Sequence, residues 1–223
     1  MYNIAIEILN IINDNGYEAY IIGGYPRDLY LGFNNLDIDI CTNATYEILK
    51  NIFSGYEITN QNFGSMILKY KGFEFEITTY RKEYEYKKNR YPKKIDFVDK
   101  LEEDLKRRDF IINTLCINHK GKFVDLIGAK KDLDNKIIKT VGNSDLKISE
   151  DILRSLRAIR FATILNFKLS EELKNSIKKY GYLLNNLSDK RKKEELNKIL
   201  NSNNKNYGLS LIKELGLEIY LNI

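Results

Sequence analysis

Histidine and cysteine are nearly missing from this chain, which removes several kinds of chemistry. One histidine, His119, and two cysteines, Cys41 and Cys116, occur in 223 residues. A Cys–His or Ser–His–Asp mechanism would have to use His119, which lies in the turn-like run His119-Lys120-Gly121 and reads as a surface residue. The cysteines lack Cys-x-x-Cys spacing, which argues against zinc and for a reducing compartment. No apolar run of 18 residues and no signal-peptide pattern is visible, so the expectation is a soluble, cytoplasmic protein with no membrane partner. There are no internal repeats. Neither sign of charge dominates. The 36 Lys and Arg against 31 Asp and Glu leave +5, compatible with nucleic acid but weak as a pointer to it. The 43% hydrophobic content suffices for one good core, or for one domain and a smaller helical one.

What is present is concentrated early. Ala19 to Ile22 is a short apolar run, read as a buried strand, and Gly23-Gly24 follow it. Residues without a Cβ let a backbone turn sharply and approach a ligand. Arg27 to Leu31 can start a short helix stopped by Gly32. Free N–H groups at such a turn suit phosphate. Leu36-Asp37-Ile38-Asp39-Ile40 reads as a second strand, which would turn Asp37 and Asp39 to one face with Leu36, Ile38 and Ile40 packed behind. Two crowded carboxylates repel unless a cation sits between them, and Mg²⁺ is the usual answer near phosphates. Alone, a Gly-Gly is usually a turn and an Asp-x-Asp a solvated face; the signal lies in their combination with Arg27.

That combination, Gly23-Gly24-Tyr25-Pro26-Arg27-Asp28 with Asp37-Ile38-Asp39, resembles the first motif of the class II CCA-adding tRNA nucleotidyltransferases and bacterial poly(A) polymerases, within the polymerase β-related nucleotidyltransferases. Further motifs continue the likeness. Ser65 to Tyr70 and Phe73 to Tyr80 flank Lys71-Gly72, a hairpin signal. In the second strand Glu76 alternates with apolar residues and reads equally as a solvated side chain; the resemblance implies a catalytic carboxylate ahead of Thr78-Thr79-Tyr80-Arg81. Arg81 to Lys94 is rich in Lys, Tyr and Arg and reads as a mobile loop whose Tyr84, Tyr86 and Tyr91 could meet RNA, or simply as solvated loop. In the family a loop here is linked to switching from CMP to AMP addition. Lys106-Arg107-Arg108-Asp109-Phe110-Ile111-Ile112-Asn113 resembles the second motif, with Ile111 where Thr is usual; such a run alone is most often helix surface.

From Ser149 the period is helical to the end, with Ser149 as N-cap and Glu150 and Asp151 in the first turn. Asp151, Arg154, Arg157 and Arg160 recur along one side, which fits a salt-bridged solvated face. The run Glu150-Asp151-Ile152-Leu153-Arg154-Ser155-Leu156-Arg157 resembles the family's amino-acid template for the incoming base. Asp offers acceptors to an exocyclic amine and Arg offers donors to a ring acceptor, so one Asp and one Arg can accept C and A.

The expectation is therefore an α+β chain, with a polymerase β-like head over 1–140 and an all-helical neck over 141–223. The resemblance implies metal-dependent transfer of CMP or AMP from CTP or ATP to the 3′ end of tRNA, releasing pyrophosphate. Asp37 and Asp39 would hold Mg²⁺ with Glu76 completing the site. Gly24 and Arg27 would hold phosphate, Arg108 and Asp109 would meet triphosphate and ribose, Asp151 and Arg154 would read the base, and Arg157 and Arg160 would support them. The alternatives are a poly(A) polymerase-type adenylyltransferase and a non-catalytic RNA-binding module. Family members usually continue into further helical domains, which implies a shortened enzyme, a fragment, or one whose RNA grip comes from a partner or a homo-oligomer.

Overall fold

A computed structural model describes residues 1–60, 62–87 and 91–221, with only the backbone for 62, 87 and 91. The expected aromatic role of Tyr91 therefore lies outside the described side chains, as do residues 88–90 of the expected basic loop. Helix α1 (Tyr2–Asp14) precedes β1 (Ala19–Ile22), α2 (Gly24–Tyr30), β2 (Asp39–Thr42), α3 (Tyr46–Ile52) and β3 (Glu57–Asn60). Then come β4 (Ser65–Tyr70), β5 (Phe73–Thr79), β6 (Arg81–Lys87), β7 (Tyr91–Phe97), α4 (Leu101–Arg107), β8 (Cys116–Ile117) and β9 (Phe123–Val124). After α5 (Ala129–Asp134) and β10 (Ile137–Ile138) the chain forms α6 (Ser144–Glu150), α7 (Leu153–Leu165), β11 (Lys168–Leu169), α8 (Glu171–Tyr180), α9 (Asp189–Leu200), α10 (Lys205–Glu214) and α11 (Glu218–Leu221).

Two compact units result. The first comprises Met1–Glu83, Ile95–Arg108 and Asn113–Lys130; the second comprises Tyr84–Lys94, Asp109–Ile112 and Lys131–Ile223. The sequence expectation divided the chain at 140/141, whereas the second unit takes up the chain from Lys131 and includes two earlier pieces.

The first unit is built on a seven-stranded sheet in the order β3-β4-β5-β2-β1-β8-β9. β2 and β5 run parallel and the other pairs antiparallel. Period-2 alternation sends neighbouring residues to opposite faces. Ile21 and Ile40 join Ile8 and Ile12 of α1 and Leu49 of α3 on one face. Ile22 and Cys41 pack with Tyr80, Leu101, Leu105 and Cys116 on the other. The β4–β5 connection is the expected two-residue turn, with Lys71 at φ 48° and Gly72 at φ 81°, the paired positive angles a tight hairpin needs.

Three expectations require correction. The Asp-x-Asp strand begins at Asp39, not Leu36. Asn35 Oδ1 accepts the Asp37 N–H at 2.9 Å, diverting that backbone from the sheet, and β1 ends at Ile22, the partner of Asp39. Leu36 is 80% exposed, so only Ile38 and Ile40 pack behind. Next, the described part of Arg81 to Lys94 is strand, β6 paired with β7, rather than loop. Finally, no helix starts at Ser149. That residue lies in the last turn of α6, which is capped by Asn143 accepting from Leu146 N–H, and the chain breaks at Asp151 before α7.

In the second unit α7 is buried along Leu153, Leu156, Ile159 and Ala162. Gly208 lets α10 come close: a Cβ there would lie 2.5 Å from Thr163 Oγ1 and from Ile199 Cγ2. Among the described residues, no helix is long and apolar enough to cross a membrane.

Candidate active site

In the first unit, parallel pairing sets Asp39 of β2 directly beside Glu76 of β5. Gly23, at φ 85°, turns the chain away at the end of β1, and a Cβ there would stand 3.1 Å from Asp39 Oδ2. Any side chain would crowd that carboxylate, so the first glycine leaves Asp39 open. Asp39 and Glu76 line a pocket of about 370 Å³ with Ser65, Thr78, Phe63, Arg81, Arg107 and Arg108. Ser65 Oγ donates to Glu76 Oε1 at 2.6 Å and holds that carboxylate in place. Burial first, and then the charges of Asp37 and Glu76, push the Asp39 carboxyl up to about 6, with Arg108 opposing them. Asp37 is exposed on the loop before β2 and acts on Asp39 through its charge.

The opposite wall is cationic, and an unanticipated residue organises it. Asp104 of α4 is fully buried. It accepts Arg107 Nε at 2.7 Å, Arg108 Nη2 at 3.1 Å and the Arg81 backbone N–H at 3.1 Å. Burial works to raise its pKa, but Arg108 and Arg107 outweigh it and hold the carboxyl below the ordinary range. Glu83 accepts from both Arg81 and Arg107. In sequence Asp104 looked like one more charge in Leu-Glu-Glu-Asp-Leu-Lys-Arg-Arg; its flanking Leu101 and Leu105, a turn apart, were the available signal that it faces inward.

Arg27 does not stand in this wall. Its guanidinium donates to Asp28 Oδ1 at 2.7 Å and to Asn113 Oδ1 at 2.6 Å. Asp28 in turn accepts Asn35 Nδ2 at 2.7 Å, and a Cβ on Gly24 would meet that Nδ2 at 3.3 Å. Arg27 thus ties the glycine turn to the segment after Arg108 and to the loop carrying Asp37. Asn113, unassigned from sequence, is the far end of that strut.

Asp109, Asp151, Arg154, Arg157 and Arg160 fall in the second unit. Asp109 Oδ2 accepts Arg157 Nε at 2.8 Å and Nη2 at 2.5 Å, while Oδ1 takes the Phe110 N–H. The Asp109 charge holds Arg157 firmly in its cationic form. Asp151 Oδ1 accepts the Leu153 N–H at 3.1 Å and so caps the start of α7. Arg154 donates to the Lys147 carbonyl at 2.8 Å, to Glu150 Oε2 at 3.3 Å and to Tyr86 Oη at 3.3 Å, with its guanidinium over the Tyr86 ring. Arg160 pairs with Glu195 and stacks on Phe161, so it holds α7 to α9 rather than joining Arg154.

The donors around Asp39 are hard carboxylate oxygens, the kind that Mg²⁺ and similar divalent cations prefer. Burial first, and like charge second, disfavour the ionised form of Asp39, and a bound cation would offset both. Among the described residues, no three His, Cys, Asp or Glu side chains are gathered closely enough to form a finished metal cluster.

Residues 19–139 match a family described as "Poly A polymerase head domain", and residues 166–221 match "Probable RNA and SrmB- binding site of polymerase A". A CCA-adding enzyme of Ligilactobacillus salivarius is 42% identical over 216 residues, covering 97% of this chain and 53% of the relative. The crystal structure of the Bacillus stearothermophilus CCA-adding enzyme in complex with CTP superposes with a TM-score of 0.88 at 34% identity, covering 97% of this chain and 53% of that one. A tRNA nucleotidyltransferase complexed with a primer tRNA and an incoming ATP analog gives a TM-score of 0.75 at 29% identity, covering 95% and 61%. The chain spans about half the length of the curated relatives it matches. With residues 19–139 matched and a relative 42% identical over 97% of this chain, the chain belongs to the poly(A) polymerase head-domain family.

Proposed function

We propose that this chain carries out template-independent nucleotidyl transfer, adding CMP and AMP from CTP and ATP to the 3′ end of tRNA and releasing pyrophosphate. The observation that carries the reading is the pairing of Asp39 with Glu76 on adjacent strands, in a pocket whose other wall is arginine. Such a pocket has carboxylates for cations and guanidinium groups for the phosphates those cations accompany. Asp37 and Asp39, with Glu76, would hold Mg²⁺, which when bound supplies activation of the RNA 3′-hydroxyl and neutralisation of the triphosphate and leaving group.

The remaining work falls to the chain's own groups. Arg108 and Arg107, held by Asp104, would bind the triphosphate, and Gly24 and Arg27 of the glycine turn would hold phosphate. Asp151 and Arg154 would read the base edge, one as acceptor and one as donor. Asp109 orients Arg157 beside them. The CTP, ATP-analogue and primer-tRNA complexes of the relatives support these substrate classes for this chain.

The test is incubation of the purified chain with tRNA lacking its CCA end, Mg²⁺ and each labelled NTP in turn. Incorporation of CMP and AMP with little UMP or GMP is expected. Long runs of AMP alone would replace the reading with a poly(A)-type one, and no incorporation on several RNAs would reduce the chain to a binding module.

A further inference from the structure

One aromatic side chain at the carboxylate pocket is held in an unfavourable conformation and left in water. Phe63 lies in the single 3₁₀ turn Asn62–Gly64, at φ 59° and ψ 33°. That left-handed region is uncommon for a side chain of this bulk and is strained. Its neighbours enforce it. Arg81 Nη1 donates to the Phe63 carbonyl at 2.7 Å. Gly64 follows at φ 75°, and a Cβ there would be 2.4 Å from the Phe97 ring, so Phe97 packs on bare backbone. Ser65 is then fixed through Glu76. The result is a ring 43% exposed that lines the same pocket as Asp39 and Glu76.

We infer that Phe63 is the stacking platform for the 3′-terminal nucleoside of the acceptor RNA. This rests on the nucleotidyl-transfer reading and names a binding residue for its second reactant. The base of the incoming nucleotide is assigned to Asp151 and Arg154, which leaves this aromatic face at the carboxylates for the strand that is extended. The chemistry suits that strand. Its last base changes with every addition, so a hydrogen-bonding readout would fit one step and fail the next. Every base has a π-face, and stacking on an aromatic ring tolerates all of them. With the Phe63 backbone held by Arg81, the ring would set the terminal ribose, and with it the 3′-hydroxyl, at the edge of the Asp39 pocket.

Two variants and two readouts test this. Phe63→Ala should raise the KM for RNA by about 5- to 150-fold, the usual effect of losing one stacked base, with the KM for CTP within about twofold of wild type. Phe63→Trp should retain RNA affinity. Phe63→Gly removes the ring but accepts φ 59° without strain, so it should melt at or above the wild-type temperature and show the same RNA defect. Independently of turnover, an RNA ending in 2-aminopurine should be quenched by the wild-type chain and much less by Phe63→Gly. Equal quenching by both, or a KM increase confined to CTP, would overturn the stacking role. A wild-type chain that quenches the probe but transfers no nucleotide would instead count against the transfer reading while upholding the stack.

Discussion

Asp39 and Asp109 are both aspartates near an arginine, yet their surroundings act in opposite directions. Asp39 is pushed up to about 6 first by burial and then by two nearby carboxylates, with Arg108 as a counterweight. Asp109 has both oxygens occupied, one by Arg157 and one by the Phe110 N–H. The first unit thus carries a half-buried carboxylate with like charges beside it, a place that favours an added cation. The second carries charges already paired within the protein, so a ligand there must exchange contacts rather than fill a deficit. The general lesson is that a like-charged cluster anticipates a cofactor, whereas a paired cluster anticipates competition.

The contrast can be broken hardest at Asp104. Asp104→Ala leaves Arg107, Arg108 and the Arg81 N–H without their shared acceptor, and breaking a buried charge network of this kind costs about 3–5 kcal/mol. Urea denaturation should show a loss of that order. A loss below about 1 kcal/mol would mean that Glu83 and solvent take over its role.

In the second unit Asp151→Asn separates two duties of one side chain. The amide oxygen can still accept the Leu153 N–H, so stability should hold, while the added amide protons disturb the acceptor pattern for a cytosine amine. Selectivity for CTP over UTP, read as kcat/KM, should fall about 5- to 150-fold, the value of one paired contact of about 1–3 kcal/mol. Unchanged selectivity would leave Asp151 as a helix cap only.

The first unit should also show a proton–cation competition that the second lacks. Below pH 6 a proton occupies Asp39, so the half-saturating Mg²⁺ concentration should rise by up to about tenfold per pH unit as pH falls, and be flat above pH 7. A pH-independent requirement would remove Asp39 from the cation's ligands. The smallest effect expected is at Tyr86. Tyr86→Phe keeps the ring under Arg154 and deletes one hydrogen bond, worth about 0.5–1.5 kcal/mol, so CTP selection should change by no more than about tenfold.

What the sequence made legible followed from local pattern. The Ile22–Gly23 strand end, the Lys71–Gly72 turn and the Asp39 and Glu76 alternation are all set by neighbours two or three residues away. Other features depend on distant partners. Arg27 meets Asn113 across 86 positions, so nothing near Arg27 announced that partner. Ser149 resembled an N-cap because the break at Asp151 leaves the apolar period intact, although Ser149 ends the helix that Asn143 caps. The β6 strand was masked by its charge, although Tyr84 and Tyr86 alternate with Glu83 and Glu85 at the spacing of a strand.

The central claim, that burial and neighbouring carboxylates destabilise the ionised Asp39 until a cation binds, is tested most directly by comparing wild type with Asp39→Asn in chemical denaturation at pH 8. The folded pKa of Asp39 lies above its ordinary value of 3.8, so the cation-free protein loses stability as pH rises from about 4 through 6. At pH 8 the penalty is fully present, about 1 kcal/mol after allowance for solvent screening. With chelator present, Asp39→Asn should therefore be more stable than wild type by about that amount. With Mg²⁺ added, wild type should gain stability and the variant little. A variant less stable than wild type in chelator, with both gaining equally from Mg²⁺, would contradict the account.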